Sequence, residues 1–138
     1  MRRLIGLVAL GVACGVQAQV ADYTVVGDGI PQSLTGKPGD AARGRALLIK
    51  RSPATCLNCH AIKDKDMQPG GTKGPPLDGV GAALTPAQLR LSVVDLSRVT
   101  KGTPMPSFHK SGGLVRSEPT LTAEQVEDIV AYLSTLKK

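Results

Sequence analysis

The sequence predicts an all-α fold with long ordered loops. Three segments, at residues 39–52, 85–99 and 121–138, combine helix-capping residues with apolar side chains at helical spacing. The stretches between them are rich in Gly and Pro, which interrupt regular structure. No run of alternating apolar and polar residues indicates the strands of a sheet.

Residues 1–18 are typical of a secretory signal peptide. Arg2 and Arg3 precede an apolar run that ends near Cys14, and Ala18 follows at a suitable cleavage site. The apolar run is shorter than the ~20 residues that a membrane-spanning helix needs. A lipoprotein signal would carry an aliphatic residue three places before Cys14, where this chain has Gly11. We therefore expect cleavage after Ala18 and export of the remaining chain.

Charge and composition exclude one class of partner and favour one kind of core. Removal of Arg2 and Arg3 lowers the formal net charge from +6 to +4. No Lys/Arg run exceeds two residues, so we expect no nucleic-acid partner. The charge fits solubility, or docking to an anionic substrate or to an acidic face of a partner. The mature chain has few aromatic residues, and a large planar apolar cofactor would supply the missing core mass. These residues are Tyr23, Phe108 and Tyr132.

Two segments open the mature chain, an extended arm at residues 19–39 and then the domain at residues 40–138. The arm has β-branched residues broken by Gly and Pro, and we expect it to lie on the domain or on a partner. Asp40 is the expected N-cap of the first helix. Gly44 lies in mid-helix, where Gly costs up to ~1 kcal/mol relative to Ala. Either this cost is tolerated or a second helix crosses too closely for a Cβ atom.

The middle helix follows a Gly/Pro-rich stretch, residues 67–83, that is expected to be a loop throughout. Thr85 as N-cap and Gln88 form a capping box, with Pro86 at the first helical position. The helix should end by about Val99. Its predicted apolar face comprises Leu89, Val93 and Leu96.

The last helix carries the strongest amphipathic pattern. Thr122 and Gln125 form a second capping box, and Leu121 can pack on Val126 across the first turn. Apolar residues continue at helical spacing to Leu136. Three acidic residues are expected to face water near the positive end of the helix dipole. They are Glu124, Glu127 and Asp128.

The sequence CLNCH, Cys56 to His60, carries the chemistry of this chain. A zinc site would need all of Cys56, Cys59, His60 and His109, and two adjacent ligands would strain the tetrahedron. A thiol-redox motif is expected beside a βαβ pattern, which is absent from the sequence. Covalent haem attachment is the third interpretation and the favoured one, because one helical turn places both thiols along one porphyrin edge. His60 would then ligate the iron.

Two further interactions at such a haem site can be predicted, one with the ring of His60 and one with the iron. The other ring nitrogen of a ligating His normally donates to a backbone carbonyl, and Pro75 in KGPPLDG is our candidate. The second axial ligand could be Met67, Met105 or His109. Met67 follows His60 too closely in sequence, whereas Met105 lies between two prolines that stiffen its loop. We therefore expect His60/Met105 ligation, which raises the reduction potential.

The mature chain resembles class I cytochromes c. It has a first helix with Gly44, then CLNCH, GPPL, a middle helix, MP, and LTAEQVEDIVAYL as the closing helix. The resemblance implies three to five short helices wrapped round one covalently bound haem c. It also implies a contact between Gly44 and Tyr132, where the first and last helices cross.

A narrower resemblance covers the arm to the C-terminus. The segments YTVVGDGIPQSLTGKPGDAARGRAL, GPPLDGVGAALTPAQLRLSVVD, MPSFHK and LTAEQVEDIVAYLSTLK closely resemble the monohaem X subunits of thiosulfate-oxidising SoxAX complexes. This implies a periplasmic location and a larger SoxA-type cytochrome subunit as partner. It also implies that the heterodimer is an L-cysteine S-thiosulfotransferase, which oxidatively couples thiosulfate to a cysteine of a sulfur-carrier protein.

Within such a complex this chain is expected to be the electron-relay subunit and not the catalytic one. Both mature cysteines would be used by the haem, so no thiolate remains for sulfur chemistry. Electrons would pass to a small periplasmic acceptor. The alternative is a free-standing periplasmic class I cytochrome c that shuttles electrons. The arm at residues 19–39 favours a subunit if it lies along a partner.

Overall fold

The computed structural model describes residues 20–50, 56–110 and 120–138, and these residues confirm the all-α prediction. The predicted signal peptide at residues 1–18 lies outside them. No described helix is long and apolar enough to cross a membrane. Four α-helices follow one another in this part of the chain: α1 (Ala41–Ile49), α2 (Val80–Ala83), α3 (Pro86–Asp95) and α4 (Ala123–Thr135). Two short 3-10 helices, Cys56–Asn58 and Leu96–Arg98, complete the described helical elements.

The three predicted N-caps are confirmed by side-chain hydrogen bonds. Asp40 accepts from the amide of Arg43 at the start of α1. Thr85 and Thr122 begin α3 and α4, each in a complete capping box. These bonds satisfy amide groups that a helix start leaves without an internal partner, so each boundary follows from local sequence.

Helix α4 is the centre of the fold and contacts α1, α2 and α3. Its apolar stripe, from Val126 to Leu133, is buried as predicted. At the crossing with α1, a Cβ atom added to Gly44 would lie 2.9 Å from the Cβ of Tyr132 and against the Asp128 carbonyl group. The expected Gly44–Tyr132 contact is therefore confirmed, and Gly44 is required by the close approach of two backbones.

The acidic face predicted for α4 is wrong at two of its three positions. Glu124 is exposed, but Glu127 and Asp128 are only 3% and 5% exposed. Glu127 pairs with Arg90 of α3 at 2.7 Å, and Asp128 pairs with Arg43 of α1 at 2.8 Å. These carboxylates are buried because each meets a guanidinium group, which a local helical pattern cannot reveal.

The arm packs on its own domain. Ile30 is fully buried, and its amide donates to the Ala87 carbonyl of α3 at 2.9 Å. Arg90 donates to the Ile30 carbonyl at 2.7 Å, and Glu127 accepts from the Leu34 amide at 2.9 Å. One buried ion pair thus joins α3, α4 and the arm.

The predicted loop at residues 67–83 contains one short helix. Helix α2 occupies Val80–Ala83, so the prediction of a loop throughout is wrong there. The amide of Gly81 donates to the Leu136 carbonyl at 2.8 Å, which docks this turn on the end of α4. Four residues are too few for a helical period to show in sequence.

Candidate functional site

The CLNCH segment forms a single turn. Residues Cys56–Asn58 are a 3-10 helix, and the amides of Cys59 and His60 both donate to the Cys56 carbonyl, at 3.1 and 2.9 Å. Among the residues that the structure describes, Cys56 and Cys59 are not joined by a disulfide. The turn brings both thiols and the imidazole into one short element.

A loop from Gly70 to Leu77 lies along this turn and holds the imidazole. The Nδ1 atom of His60 is 2.7 Å from the Pro75 carbonyl oxygen, the group that the sequence indicated. The amides of Gly71, Gly74 and Leu77 donate to backbone carbonyls in and just after the turn, at 2.8 to 2.9 Å. With Nδ1–H donating to Pro75, Nε2 is the ring nitrogen left to bind a metal.

Glycines in this loop were missed as site residues. A Cβ atom at Gly74 would lie 2.6 Å from the Nδ1 of His60. A Cβ atom at Gly70 or Gly71 would meet the backbone of residues 58–61. Their only signal in the sequence is the run PGGTKG just before Pro75, whose carbonyl was predicted to accept from His60. These residues leave space for the loop to approach the imidazole and the turn.

Met105 lies on the loop between α3 and α4. Its side chain is partly buried and packs against the hydrophobic core, and its amide donates to Thr103 Oγ1 at 3.2 Å. The flanking Pro104 and Pro106 lack amide hydrogens, so this part of the loop has few backbone donors. The loop therefore depends on contacts made by its neighbours.

The two rival candidates for the second ligand have other contacts. Met67 is 8% exposed and lines a cavity of about 210 Å³ together with Leu57 and Asn58, the residues between the two cysteines. Met67 thus lies beside the CLNCH turn itself. His109 is fully buried and uses both ring nitrogens: Nδ1 is 2.8 Å from the Leu121 carbonyl oxygen, and Nε2 accepts from the Ala21 amide at 3.0 Å.

The rival chemistries of the cysteines have little support in this geometry. The structure describes no cluster of three or more His, Cys, Asp or Glu residues that could hold a metal ion. The fourth ligand that zinc would need, His109, is bound to the arm and to Leu121. Burial raises the pKa of the Cys56 thiol, whereas redox-active cysteines have a lowered pKa.

Arg45 of α1 forms an ion pair with the segment that follows CLNCH. Its guanidinium group donates two hydrogen bonds to Asp64, at 2.7 and 2.6 Å, and one to Asp66 at 2.8 Å. The Arg45 bonds, assisted by the Asp66 amide, lower the pKa of Asp64 to about 2. The hydroxyl of Tyr132 lies 3.5 Å from the same carboxylate. The ion pair thus ties α1, α4 and the segment after His60 together.

Acid should weaken the Arg45–Asp64 ion pair in a defined pH range. The Asp64 pKa is about 2 in the folded protein and about 3.9 in an unfolded chain, so its contribution to stability is complete above about pH 4. That contribution is lost as the pH falls toward 2. We expect the melting temperature of Asp64→Asn to fall less than that of the wild type between pH 4 and pH 2. Parallel curves for the two proteins would contradict the assignment.

Comparisons with known proteins identify a matching family and similar solved structures. The cytochrome c family model matches residues 41–137. The crystal structure of SoxXA from P. pantotrophus contains a chain that is 35% identical, with a TM-score of 0.78, and the match covers 88% of this chain and 99% of that one. The c-type cytochrome SorU from Sinorhizobium meliloti is 26% identical, with a TM-score of 0.49 over 70% of this chain and 90% of that one. A search of curated proteins found no match.

Proposed function

The chain belongs to the cytochrome c family, its cofactor is one covalently bound haem c, and we propose that four side chains hold this haem. Cys56 and Cys59 form the thioether bonds. His60 and Met105 are the axial ligands of the iron. Pro75 fixes the ring of His60 through the 2.7 Å contact between its carbonyl oxygen and Nδ1.

The described residues fit this cofactor. Two thiols lie on one turn with no disulfide between them, and the adjacent imidazole has its Nδ1 engaged and its Nε2 left for a metal. Met105 offers a neutral sulfur on a proline-flanked loop. When bound, the haem supplies a one-electron iron couple. The protein's part is to fix the ligands and to shield the group from water.

Replacement of Met105 by alanine tests the axial assignment. We expect the ferric holoprotein to lose its weak near-infrared sulfur-to-iron band and to have a lower reduction potential, because His/Met ligation raises the potential. Met67→Ala is the matched control, since this second methionine is expected to be core filler. A band that survives in Met105→Ala and disappears in Met67→Ala would transfer the role to Met67.

We further propose that the chain is the electron-relay subunit of a heterodimeric SoxAX-type L-cysteine S-thiosulfotransferase in the periplasm. The supporting observation is the match to a chain of the SoxXA crystal structure over nearly the full length of both chains. The chemistry agrees with this role. Once Cys56 and Cys59 are thioethers, the described residues hold no thiol, so a SoxA-type partner must carry out the sulfur chemistry.

The proposed overall reaction defines what a relay must do. A carrier-protein thiol and thiosulfate form one S–S bond and release one proton and two electrons. A chain with a one-electron group takes these electrons in two single steps and passes each to a small periplasmic acceptor. The axial ligands therefore need to stay in place in both oxidation states, which a stiff ligand loop favours.

Assembly with the partner tests this function. The mature holoprotein is mixed at micromolar concentration with the SoxA-type cytochrome of the same organism, and the mass is measured by size-exclusion chromatography with light scattering. We expect a 1:1 heterodimer and thiosulfate-dependent haem reduction only in the mixture with a carrier protein. An unrelated monomeric c-type cytochrome is the control. A monomer that never co-elutes with the partner would contradict the relay subunit.

A free-standing electron shuttle is the second candidate, and one observation removes an argument against it. An arm that lay along a partner would have favoured the subunit, but Ile30 and Leu34 attach it to α3 and α4 of its own domain. The arm therefore has a role within its own domain and does not favour the relay subunit over the free-standing shuttle. A monomeric protein that reduces a soluble acceptor without any partner would support the shuttle.

A further inference from the structure

Asp95, the last residue of α3, is buried and only 1% exposed. Its Oδ1 atom accepts hydrogen bonds from the hydroxyls of Ser97 and Ser107, at 2.5 and 2.7 Å. Its Oδ2 atom lies 3.2 Å from the Nζ of Lys110 and is paired by charge without a hydrogen bond of good geometry. Three side chains thus converge on one carboxylate, Ser97 from the 3-10 helix after α3 and the other two from the loop that follows it.

The balance of these contacts keeps Asp95 ionised. Burial opposes ionisation, but the hydrogen bonds from Ser97 and Ser107 and the charge of Lys110 outweigh it, so the pKa of Asp95 lies below its ordinary value. Hydrogen bonds from hydroxyls to a carboxylate are about twice as strong as those between neutral groups. The ionised carboxylate therefore binds the two serine hydroxyls more strongly than a neutral acceptor would.

The loop that Asp95 anchors is the one that carries Met105. Ser107 follows Met105 by two residues and Lys110 follows it by five, while Ser97 precedes it on the 3-10 helix. The nearest backbone bonds from this loop to α3 are both long, at 3.4 Å, from Phe108 and His109. The prolines on either side of Met105 cannot donate, so among the described residues the 2.7 Å side-chain bond from Ser107 is a shorter tie to α3 than either backbone bond, and it lies two residues from Met105.

We propose that Asp95 is a positioning residue that holds the Met105 thioether in place through the hydroxyl of Ser107. This role rests on the proposed ligation of haem iron by Met105. It goes further in naming the group that sets how firmly that ligand stays bound. A fixed loop disfavours the open state in which an outside ligand reaches the iron, whereas a loosened loop populates it.

Competition with imidazole tests the proposal on the ferric holoprotein. Imidazole is added, and the loss of the near-infrared sulfur-to-iron band is followed with time in Asp95→Asn, Ser107→Ala and Ser97→Ala. Asn is close in shape to Asp but has no charge for Lys110, and Ser107→Ala removes only one hydroxyl. We expect both variants to exchange about tenfold faster or more, the scale of one lost bond to a charged group. Both should also have a lower reduction potential.

Ser97→Ala is the matched control, because its hydroxyl binds the same Oδ1 atom from outside the Met105 segment. We expect its exchange rate and potential to stay near those of the wild type, although it loses a similar bond. Melting temperatures of all three variants show whether a change is only a general loss of stability. If Ser107→Ala exchanges no faster than Ser97→Ala and keeps the wild-type potential, the positioning role is overturned.

Failure of the axial assignment gives a different result. A wild-type protein with no near-infrared band, or with a band that survives in Met105→Ala, overturns the ligation by Met105 and the role of Asp95 with it. A wild-type band that depends on Met105 but is equally resistant to imidazole in Asp95→Asn and Ser107→Ala overturns the role of Asp95 alone.

Discussion

Replacement of Arg90 by methionine is expected to lower the free energy of unfolding by about 3–5 kcal/mol, the usual effect of removing one partner from a buried ion pair. The side chains of Arg90 and Glu127 are 8% and 4% exposed. The guanidinium group makes two hydrogen bonds to Glu127, at 2.7 and 2.9 Å, and a third to the Ile30 carbonyl. Its loss leaves a buried charge and a buried carbonyl without this donor. Chemical denaturation of the holoprotein measures the change.

A second variant separates the charge from the hydrogen bonds. Arg90→Met with Glu127→Gln removes the unpaired charge but keeps an acceptor for the Leu34 amide, so it should recover part of the lost stability. Arg43→Met is the matched control, since Arg43 also makes two bonds to an acidic residue of α4 but is 65% exposed. We expect a smaller loss there, because the Arg43 side of the pair is open to water and Asp128 keeps the hydrogen bond from the Asp40 amide. Equal losses for Arg90→Met and Arg43→Met would contradict the importance of burial.

Replacement of Gly44 by alanine is expected to destabilise the protein although it improves the helix. Alanine favours a helix interior by up to ~1 kcal/mol relative to glycine, so propensity alone predicts a gain. The added Cβ atom, however, would collide with the Asp128 carbonyl group and lie 2.9 Å from the Cβ of Tyr132. Overpacking of this kind costs about 1–3 kcal/mol. We therefore expect a net loss in the free energy of unfolding, which denaturant titration measures.

The sign of the Gly44→Ala effect decides between the two explanations of this residue. Ala46→Gly, at an exposed interior position of the same helix, gives the helix-propensity term alone. If Gly44→Ala stabilises the protein by the amount that Ala46→Gly destabilises it, then α1 and α4 can separate without cost. In that case the close crossing would not be a requirement of the fold.

Features fixed by local sequence could be predicted, and those fixed by distant contacts could not. The caps at Asp40, Thr85 and Thr122 each bind an amide three residues away, so a short stretch of sequence contains both partners. Glu127 and Asp128 were assigned to the surface because their partners, Arg90 and Arg43, are 37 and 85 residues away. An amphipathic pattern cannot distinguish a solvated acid from one that meets a buried arginine.

The candidate site divides in the same way. CLNCH contains three of the proposed haem contacts within five residues, and the proline-flanked Met105 is visible from the sequence alone. The contact between His60 and Pro75 could be anticipated because rigid GPP segments present carbonyl groups well. The roles of Gly74 and Asp95 could not, since both depend on how closely one loop approaches another in three dimensions.

The two neighbouring acids of α4 also have a consequence for the order of folding. Glu127 accepts a hydrogen bond from the Leu34 amide at 2.9 Å, and Asp128 accepts one from the Asp40 amide at 2.7 Å. The partners are 93 and 88 residues apart in the sequence. Loop closure over such distances is costly and slow, so these contacts form only after α4 is in place. The N-terminal segment is synthesised before α4 and is expected to settle last. Until α4 has formed, it remains an accessible extended segment that a chaperone could hold.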